Sequence, residues 1–168
     1  MRVPPVDPTK RRPIRKALVE PIARTEAGRW WVMHASPKLD PLLYRLSGGH
    51  LTTLPMPVLF LTHKGARSGR LSKTPLLYFT DGDDAIVIAS NYGRAKHPAW
   101  YYNVKANPEV TVSAAGRDCR YRAEIVSDAD RERVWPLVVQ FTEVYADYVK
   151  RAEGRTIQLV RLSPLEPV

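Results

Sequence analysis

Apolar and polar positions alternate over much of the second half of the chain, with the two-residue period typical of half-buried β-strands. Two such stretches, EVTVSA (109–114) and CRYRAEIV (119–126), flank the short turn AGRD and predict an antiparallel hairpin. A nearly continuous apolar run, PVLFLTH (57–63), predicts a more deeply buried strand. Three further strands are predicted over residues 71–79, 85–90 and 155–162.

Helical patterns separate and flank these strands. Pro98 suits the start of a short helix, and Asn107-Pro108 ends it. Ser127 is placed to cap a longer helix, with Asp130 three residues later. Between Ile14 and Leu46 the pattern predicts one or two short helices, broken at glycine and proline positions. Those positions are Gly28, Pro37 and Pro41.

Together these elements predict a mainly β fold, a small antiparallel barrel with peripheral helices. A chain of 168 residues is long enough to bury one core without disulfides or a structural metal. The expected organisation is a basic, disordered arm over 1–14, a helical segment over 15–50 and the barrel domain over 51–168.

The amino-acid composition limits which cofactors and binding partners are expected. The single cysteine, Cys119, excludes an internal disulfide and fits a reducing, cytoplasmic compartment. The four histidines are scattered and no CxxC or HExxH pattern occurs, which argues against a metal site. The net charge of +9 favours an anionic partner: nucleic acid, a lipid surface or an acidic small molecule. No signal peptide is evident, and the longest apolar stretch, MPVLFL (56–61), is too short to span a bilayer.

The turn THKGARSGRLSKTP (62–75) is the first candidate for chemistry. Glycines allow backbone amides to converge on phosphate oxygens, and basic side chains neutralise the charge. The P-loop spacing is missing, so an ordinary basic hairpin turn remains an equal alternative. The residues concerned are Lys64, Gly65, Arg67, Ser68, Gly69, Arg70 and Lys73.

Three consecutive rings, Trp100, Tyr101 and Tyr102, form the second candidate, next to Asn103. They cannot all face one way on a helix, so at least one points away from the core. Core packing and a wall for a planar ligand both remain open. Two further candidates are ASNYG (89–93) at a strand end and the pair Tyr145 and Tyr148, which share one helical side. An ordinary loop and plain packing are their alternatives.

Residues 58–112 resemble the deazaflavin-dependent nitroreductase and quinone reductase family in order and spacing. The shared pattern is a glycine-rich basic turn, Pro-Leu, Asp-Gly, Ala-Ser and Pro-x-Trp-Tyr-x-Asn, here "THKGARSGRLSKTPLLYF", "DGDD", "ASNYG" and "HPAWYYNVKANP". The chain departs from it with Gly65-Ala66-Arg67 in place of Gly-Arg-Lys. It also has Tyr92 where the family often has glycine, and this tyrosine is expected to narrow the cleft.

The resemblance implies an actinobacterial split β-barrel, similar to the FMN-binding and pyridoxamine-phosphate-oxidase-like barrels. It also implies an oxidoreductase that uses reduced coenzyme F-420, a deazaflavin, to transfer a hydride to a quinone, a nitroaromatic or another conjugated acceptor. Ser90 would polarise the acceptor, with Tyr145 and Tyr148 enclosing it and donating a proton. The expected cofactor-binding residues are Lys64, Gly65, Arg67, Ser68, Gly69, Lys73, Pro75, Leu76, Leu77, Ala89, Ser90, Asn91, Trp100, Tyr101 and Asn103.

Other functions are weighed against this one. A protein that binds F-420 or FMN without catalysis would share the same site. Nucleic-acid binding is not expected, because the basic residues are split between a tail and a turn. The N-terminal segment, with Trp30, Trp31, Leu42, Leu43 and Tyr44, could instead rest on the inner face of the plasma membrane. The oligomeric state stays open.

Overall fold

The computed structural model describes residues 2–10, 25–47 and 56–165. Its centre is a closed barrel in which neighbouring strands run antiparallel in the order β1-β2-β3-β6-β5-β4. The predicted barrel and the predicted hairpin around residues 115–118 are therefore confirmed. The strands are β1 (Val58–Lys64), β2 (Leu71–Asp81), β3 (Asp84–Ala89), β4 (Glu109–Ala114), β5 (Arg117–Ile125) and β6 (Gln158–Pro164).

Helices cover the barrel on the outside. Ser127 Oγ accepts a hydrogen bond from the Asp130 amide at 3.2 Å, so the predicted cap is confirmed. The helix that it begins ends at Phe141, and a second helix follows it after a short break. The helical segments are α1 (Glu26–Trp30), a π-helical stretch (Trp31–Ala35), α2 (Ser36–Leu46), α3 (Ala99–Ala106), α4 (Asp128–Phe141) and α5 (Val144–Arg151).

The N-terminal helical segment differs from the prediction, because it runs through Gly28, Pro37 and Pro41. The Ser36 amide donates to the Trp31 carbonyl five residues back, so the helix is widened just ahead of Pro37. A π-helical stretch changes the hydrogen-bond spacing without ending the helix, and the segment continues past this position. The motif SGGH (47–50) predicts a flexible break after this segment, and residues 48–50 of it lie outside the described residues.

Residues 2–10 differ from the predicted disordered arm, because part of this segment packs on the barrel. Val3 and Val6 are buried in the core. The Val3 amide donates to Tyr121 Oη at 2.9 Å, and the Thr80 amide donates to the Val6 carbonyl at 2.9 Å. The segment thus covers the barrel end where β2 finishes. Residues 11–14 of the predicted arm lie outside the described residues.

The last strand begins later than predicted, at residue 158 rather than 155. Residues 155–157 instead belong to the connection between α5 and β6. Earlier in this connection, Glu153 and Gly154 adopt left-handed backbone with φ of 51° and 81°. Arg155 therefore belongs to a loop, and its side chain is not part of a strand's alternating pattern.

Strands β2 and β3 separate partway along their length, and this positions the candidate site. They pair from Asp81 with Asp84 to Tyr78 with Val87. Beyond that point residues 71–77 pair with β1 alone, and Ile88 and Ala89 pair with β6 alone. Pro75 lies in the separated half of β2, where a strand needs fewer donors. The fold is thus a split β-barrel.

Candidate cofactor site

The basic turn between β1 and β2 is closed by its own backbone. The Gly65 amide donates to the Arg70 carbonyl at 2.8 Å, and the Gly69 amide donates to the Gly65 carbonyl at 2.9 Å. Gly69 has φ of 66°, and a Cβ on Gly65 would lie 2.4 Å from Ser68 Oγ. The glycines are therefore explained by the turn itself. These two amides do not converge on an outside ligand, so the predicted anion contact is left to the exposed cationic side chains and stays a prediction.

Asn103 connects α3 to this turn. Its Oδ1 accepts from the Ala66 amide at 2.9 Å, and its Nδ2 lies 3.2 Å from His63 Nδ1. Asn107 adds a second link, because its Nδ2 donates to the Lys64 carbonyl at 3.3 Å. The structure thus brings together the two sequence segments, 64–73 and 98–103, on which a joint cofactor site depends. Asn103 was predicted to bind the cofactor; in the structure its side chain orients the turn, and its contact with a cofactor stays a prediction.

His63 is a buried member of this network that the sequence prediction missed. The Ala66 bond fixes the Asn103 amide, so Nδ2 donates to His63 Nδ1. The imidazole then carries its proton on Nε2, which donates to Thr74 Oγ1 at 3.0 Å. Burial lowers the pKa of His63 below its usual 6.5, which favours this neutral form. The network therefore runs from the turn through α3 to β2.

The three rings of α3 divide between core and solvent. Trp100 and Tyr101 are 6% and 7% exposed and belong to the core, whereas Tyr102 is 48% exposed. The expectation that one ring points away from the core is met by Tyr102. The Tyr101 ring also stacks on His97, with centroids 4.5 Å apart. Packing accounts for Trp100 and Tyr101 as they stand, and their contact with a cofactor stays a prediction.

The backbone after β3 bends through three left-handed residues. Asn91, Tyr92 and Gly93 have φ of 47°, 58° and 77°. For a tyrosine this region is a steric outlier. A Cβ on Gly93 would lie 2.8 Å from the Tyr148 carbonyl oxygen, so the bend presses closely against α5. Ser90 and Asn91 thus sit in a strained segment beside the opening between β2 and β3.

A single guanidinium, that of Arg155, holds this bend. It donates to the carbonyls of Ala89, Ser90 and Arg94 at 3.3, 2.7 and 3.0 Å. It also lies 2.9 Å from His97 Nδ1. Neither Arg155 nor His97 was predicted to belong to the site. The sequence prediction placed Arg155 in a strand, and the one available signal was its position just after a glycine turn.

The two tyrosines of α5 lie together, as their spacing predicts. Their ring centroids are 5.9 Å apart in an edge arrangement, and Tyr92 meets Tyr148 edge-on at 6.2 Å. Tyr145 and Tyr148 are 6% and 9% exposed, so both are more deeply buried than partly exposed packing residues. Burial also raises the pKa of Tyr92. Together these rings cover the Ser90 bend on its α5 side.

The remaining predicted residues flank the opening in the barrel. Leu76 and Leu77 are half-buried on the separated half of β2. Ala89 at the end of β3 is fully buried, and Ser90 just after it is half-buried. A different cavity of about 580 Å³ lies at the other end of the barrel, where β4 finishes. Residues 2–5, Cys119 and Tyr121 are among its lining, and no predicted cofactor residue is. We therefore place the candidate site at the opening.

Two features are absent from residues 2–10, 25–47 and 56–165. No group of three or more His, Cys, Asp or Glu side chains in these ranges is placed to hold a metal ion. No helix in the same ranges combines the length and apolar character needed to cross a membrane.

Comparison with known proteins links this geometry to one family. The sequence pattern of the F420H(2)-dependent quinone reductase family matches residues 39–164. The chain is also 31% identical over 147 residues to an F420H(2)-dependent quinone reductase of Mycobacterium tuberculosis (strain ATCC 25618 / H37Rv). That alignment covers 82% of this chain and 98% of the relative.

Solved structures share this fold. One described as an F420-H2 dependent reductase is 31% identical, with a TM-score of 0.59, over 68% of this chain and 100% of its own. Another, described as a domain-swapped dimer, is 29% identical, with a TM-score of 0.60, over 79% of this chain and 97% of its own.

Proposed function

Because the chain belongs to the F420H(2)-dependent quinone reductase family, we propose that it delivers a hydride from reduced coenzyme F-420 to a quinone-type acceptor in the opening between β2 and β3. The chain is an F-420-dependent reductase, and a quinone acceptor fits the family. The location of the site and the roles of its residues are proposals.

One observation supports the placement: a continuous series of contacts runs from the basic turn to the Ser90 bend. The basic turn is bonded to Asn103 of α3, and Tyr101 of the same helix stacks on His97. His97 in turn meets Arg155, which holds the Ser90 carbonyl. Predicted residues that are far apart in sequence therefore form one wall.

The residues present fit a flat cofactor with an anionic tail. Lys64, Arg67 and Lys73 are exposed on or next to the turn and would attract phosphate and carboxylate groups. Leu76 and Leu77 offer half-buried apolar surface for a ring system. When bound, the reduced deazaflavin supplies the hydride, and the protein supplies position and electrostatics.

The acceptor would be held on the α5 side of the opening. Ser90 can donate its hydroxyl hydrogen to an acceptor oxygen, because its backbone is fixed by Arg155 and by the Gly93 amide. Tyr145 and Tyr148 would exclude water and supply a phenolic proton. With an ordinary pKa of about 10, a tyrosine is a weak acid, so positioning contributes more than acidity.

Binding and turnover test the proposal separately. Oxidised F-420 should quench the tryptophan fluorescence of the purified protein at micromolar concentration. Reduced F-420 should then be reoxidised by menadione in steady state. Binding without turnover across quinones, nitroaromatics and enones would favour a non-catalytic carrier, and binding of FMN in place of F-420 would redirect the cofactor assignment. Absence of binding to either cofactor would contradict both functions.

The acceptor range is the finer part of the proposal. Tyr92 meets Tyr148 edge-on, and we propose that its ring narrows the acceptor side of the opening. We therefore expect flat quinones to be reduced faster than bulky nitroaromatics. A panel in which both classes react equally well would count against a role for Tyr92 in selectivity.

Membrane contact is proposed for one side of the N-terminal helical segment. Trp30, Trp31, Leu42 and Leu46 are 59%, 42%, 55% and 75% exposed. The prediction that Tyr44 faces the membrane is wrong. Its ring packs on Phe60, with centroids 4.5 Å apart, and its Oη accepts a hydrogen bond from the Gly116 amide. Exposed rings and leucines next to a basic sequence suit an anionic leaflet on the cytoplasmic side.

Point substitutions test this surface better than truncation, because removing the N-terminus would also remove the buried Val3 and Val6. The combined variant Trp30→Ser, Leu42→Ser and Leu46→Ser should sediment less with phosphatidylglycerol vesicles than the parent. Leu71→Ser, at an exposed leucine outside the segment, is the control. Equal sedimentation of all three proteins would remove the idea.

A further inference from the structure

Arg155 satisfies four acceptors with one side chain. Nε donates to the Arg94 carbonyl, Nη2 to the Ser90 carbonyl, and Nη1 to both the Ala89 carbonyl and His97 Nδ1. These acceptors are all neutral. The planar guanidinium matches them because its donors point in fixed directions. A lysine ammonium in the same place could not reach them all.

The bend that these bonds hold is under strain. Left-handed backbone is sterically unfavourable for residues with a Cβ, less so for asparagine than for tyrosine, and both Asn91 and Tyr92 adopt it. Such conformations persist only where several contacts fix them. Here the contacts are Asn91 Nδ2 to the Lys96 carbonyl at 2.7 Å, the close approach of Gly93 to α5, and the Arg155 bonds.

His97 extends this hold to α3. Because Arg155 donates to Nδ1, the neutral ring carries its proton on Nε2. The same ring stacks on Tyr101 and meets Tyr102 edge-on, with centroids 6.0 Å apart. The charged groups that act on His97 are Arg155 from the connection before β6 and Lys105 from α3. Both are cationic, so they oppose protonation of the ring.

We propose that Arg155 and neutral His97 are positioning residues that fix the Ser90 bend and the Tyr101 side of the opening relative to each other, and that protonation of His97 releases them. This inference rests on the proposed function for its consequence in cofactor binding. The release itself is a property of the cofactor-free protein. Burial, Arg155 and Lys105 all lower the pKa of His97 below 6.5, so the release belongs to the acid side of neutrality.

The first experiment substitutes the guanidinium. Arg155→Gln should weaken F-420 binding, followed by tryptophan fluorescence, by about tenfold, and Arg155→Lys should fall between it and the parent. Arg120→Gln is the matched control, because Arg120 pairs with Glu109 on the outer surface of the barrel. In cofactor-free protein, Arg155→Gln should also speed amide hydrogen exchange in residues 89–97 while the barrel strands stay protected.

The outcomes separate this inference from the proposed function. Faster local exchange with weaker binding supports the positioning role, and unchanged exchange overturns it. Faster exchange across the whole barrel, or unchanged affinity despite local loosening, overturns it as well. If the parent protein binds no F-420, the proposed function fails, and the exchange measurement still decides whether Arg155 holds the bend. Arg155→Lys provides the same exchange test if Arg155→Gln does not fold.

The second experiment isolates His97. In His97→Gln the side-chain oxygen can accept from Arg155 but does not titrate. After correction for intrinsic exchange, the parent should show faster exchange in residues 89–97 as the pH falls from about 7 to about 5, and the variant should not. The same pH dependence in both proteins would overturn the role of His97 protonation.

Discussion

Asn103 is the residue through which the basic turn and the aromatic helix are joined. Its carbonyl oxygen and its amide nitrogen face different partners, Ala66 and His63, so neither a carboxylate nor an aliphatic side chain can replace it. The sequence indicated a polar group beside the rings. It could not show which partners the amide would meet, because they lie 37 and 40 positions away.

Asn103→Ala should lower the free energy of unfolding by about 1–3 kcal/mol, because it leaves the buried His63 Nδ1 without its donor. It should also weaken F-420 binding by loosening the turn. Lys105→Ala, at an exposed position on the same helix, is the stability control. Urea unfolding followed by cofactor titration checks both effects. A variant as stable as the parent would show that the network contributes nothing.

The buried His63 should make the free energy of unfolding depend on pH. Burial lowers its pKa in the folded state, so below about 6.5 the unfolded chain binds more protons than the folded one. Its contribution is therefore fully present above that value and is lost as the pH falls through it toward the folded pKa. His63→Gln should flatten part of the fall in unfolding free energy between about pH 7 and pH 5. An unchanged slope would contradict the prediction.

At the scale of elements, the strands were the easiest part to predict. Successive side chains of a strand face opposite sides, so an alternating sequence pattern directly indicates which positions are buried. Helices were harder. Pro37 and Pro41 were interpreted as breaks, since a local rule cannot foresee that the helix continues through both, with a π-helical stretch just ahead of Pro37. The connection before β6 was interpreted as strand for a similar reason: Arg155 fits the alternation, but a preceding left-handed turn redirects the backbone.

Gly93 shows how tightly two elements meet at the site. In Gly93→Ala a Cβ would lie 2.8 and 2.9 Å from atoms of Tyr148 and Arg151, so α5 or the bend must move. Gly82→Ala is a matched control, because its φ of 63° is similar and nothing lies within 4 Å of the new Cβ. We expect the first variant to lose stability by several kcal/mol and the second by about 1 kcal/mol. Equal losses in thermal or urea unfolding would argue against close packing here.

Ser127 tests an element away from the site. Ser127→Ala should cost about 1 kcal/mol of stability by removing the acceptor for the Asp130 amide. Ser127→Asp should retain most of it, because a carboxylate also caps a helix. Neither change should alter F-420 affinity. A large loss of affinity in Ser127→Ala would mean that α4 is coupled to the opening more strongly than its contacts indicate.

At the scale of the whole molecule, net charge is the part of the composition that points to a ligand class. The excess of 26 basic over 17 acidic residues anticipates an anionic ligand, and the exposed turn is one place where that excess lies. The opening itself could not be predicted from charge or periodicity. It arises because residues 71–77 of β2 pair with β1, whereas residues 78–81 pair with β3. A sequence pattern does not show at which residue a strand changes its partner.

Ionic strength should therefore modulate cofactor binding. Raising salt from about 0.05 to 0.5 M should weaken F-420 affinity several-fold, because exposed charges are screened over a few ångströms. The double variant Lys64→Gln and Arg67→Gln should bind more weakly and lose most of this salt dependence, whereas Arg120→Gln should keep it. A salt response that is the same in all three proteins would locate the anion contact elsewhere.

The place of β6 between β3 and β5 has a consequence for biosynthesis. While the ribosome is still making residues 158–164, the finished strands β3 and β5 each present an unpaired edge to solvent. Such edges invite pairing with other chains. Premature termination before this strand should therefore yield aggregates rather than a weakened enzyme, and the nascent chain is a natural client for chaperones.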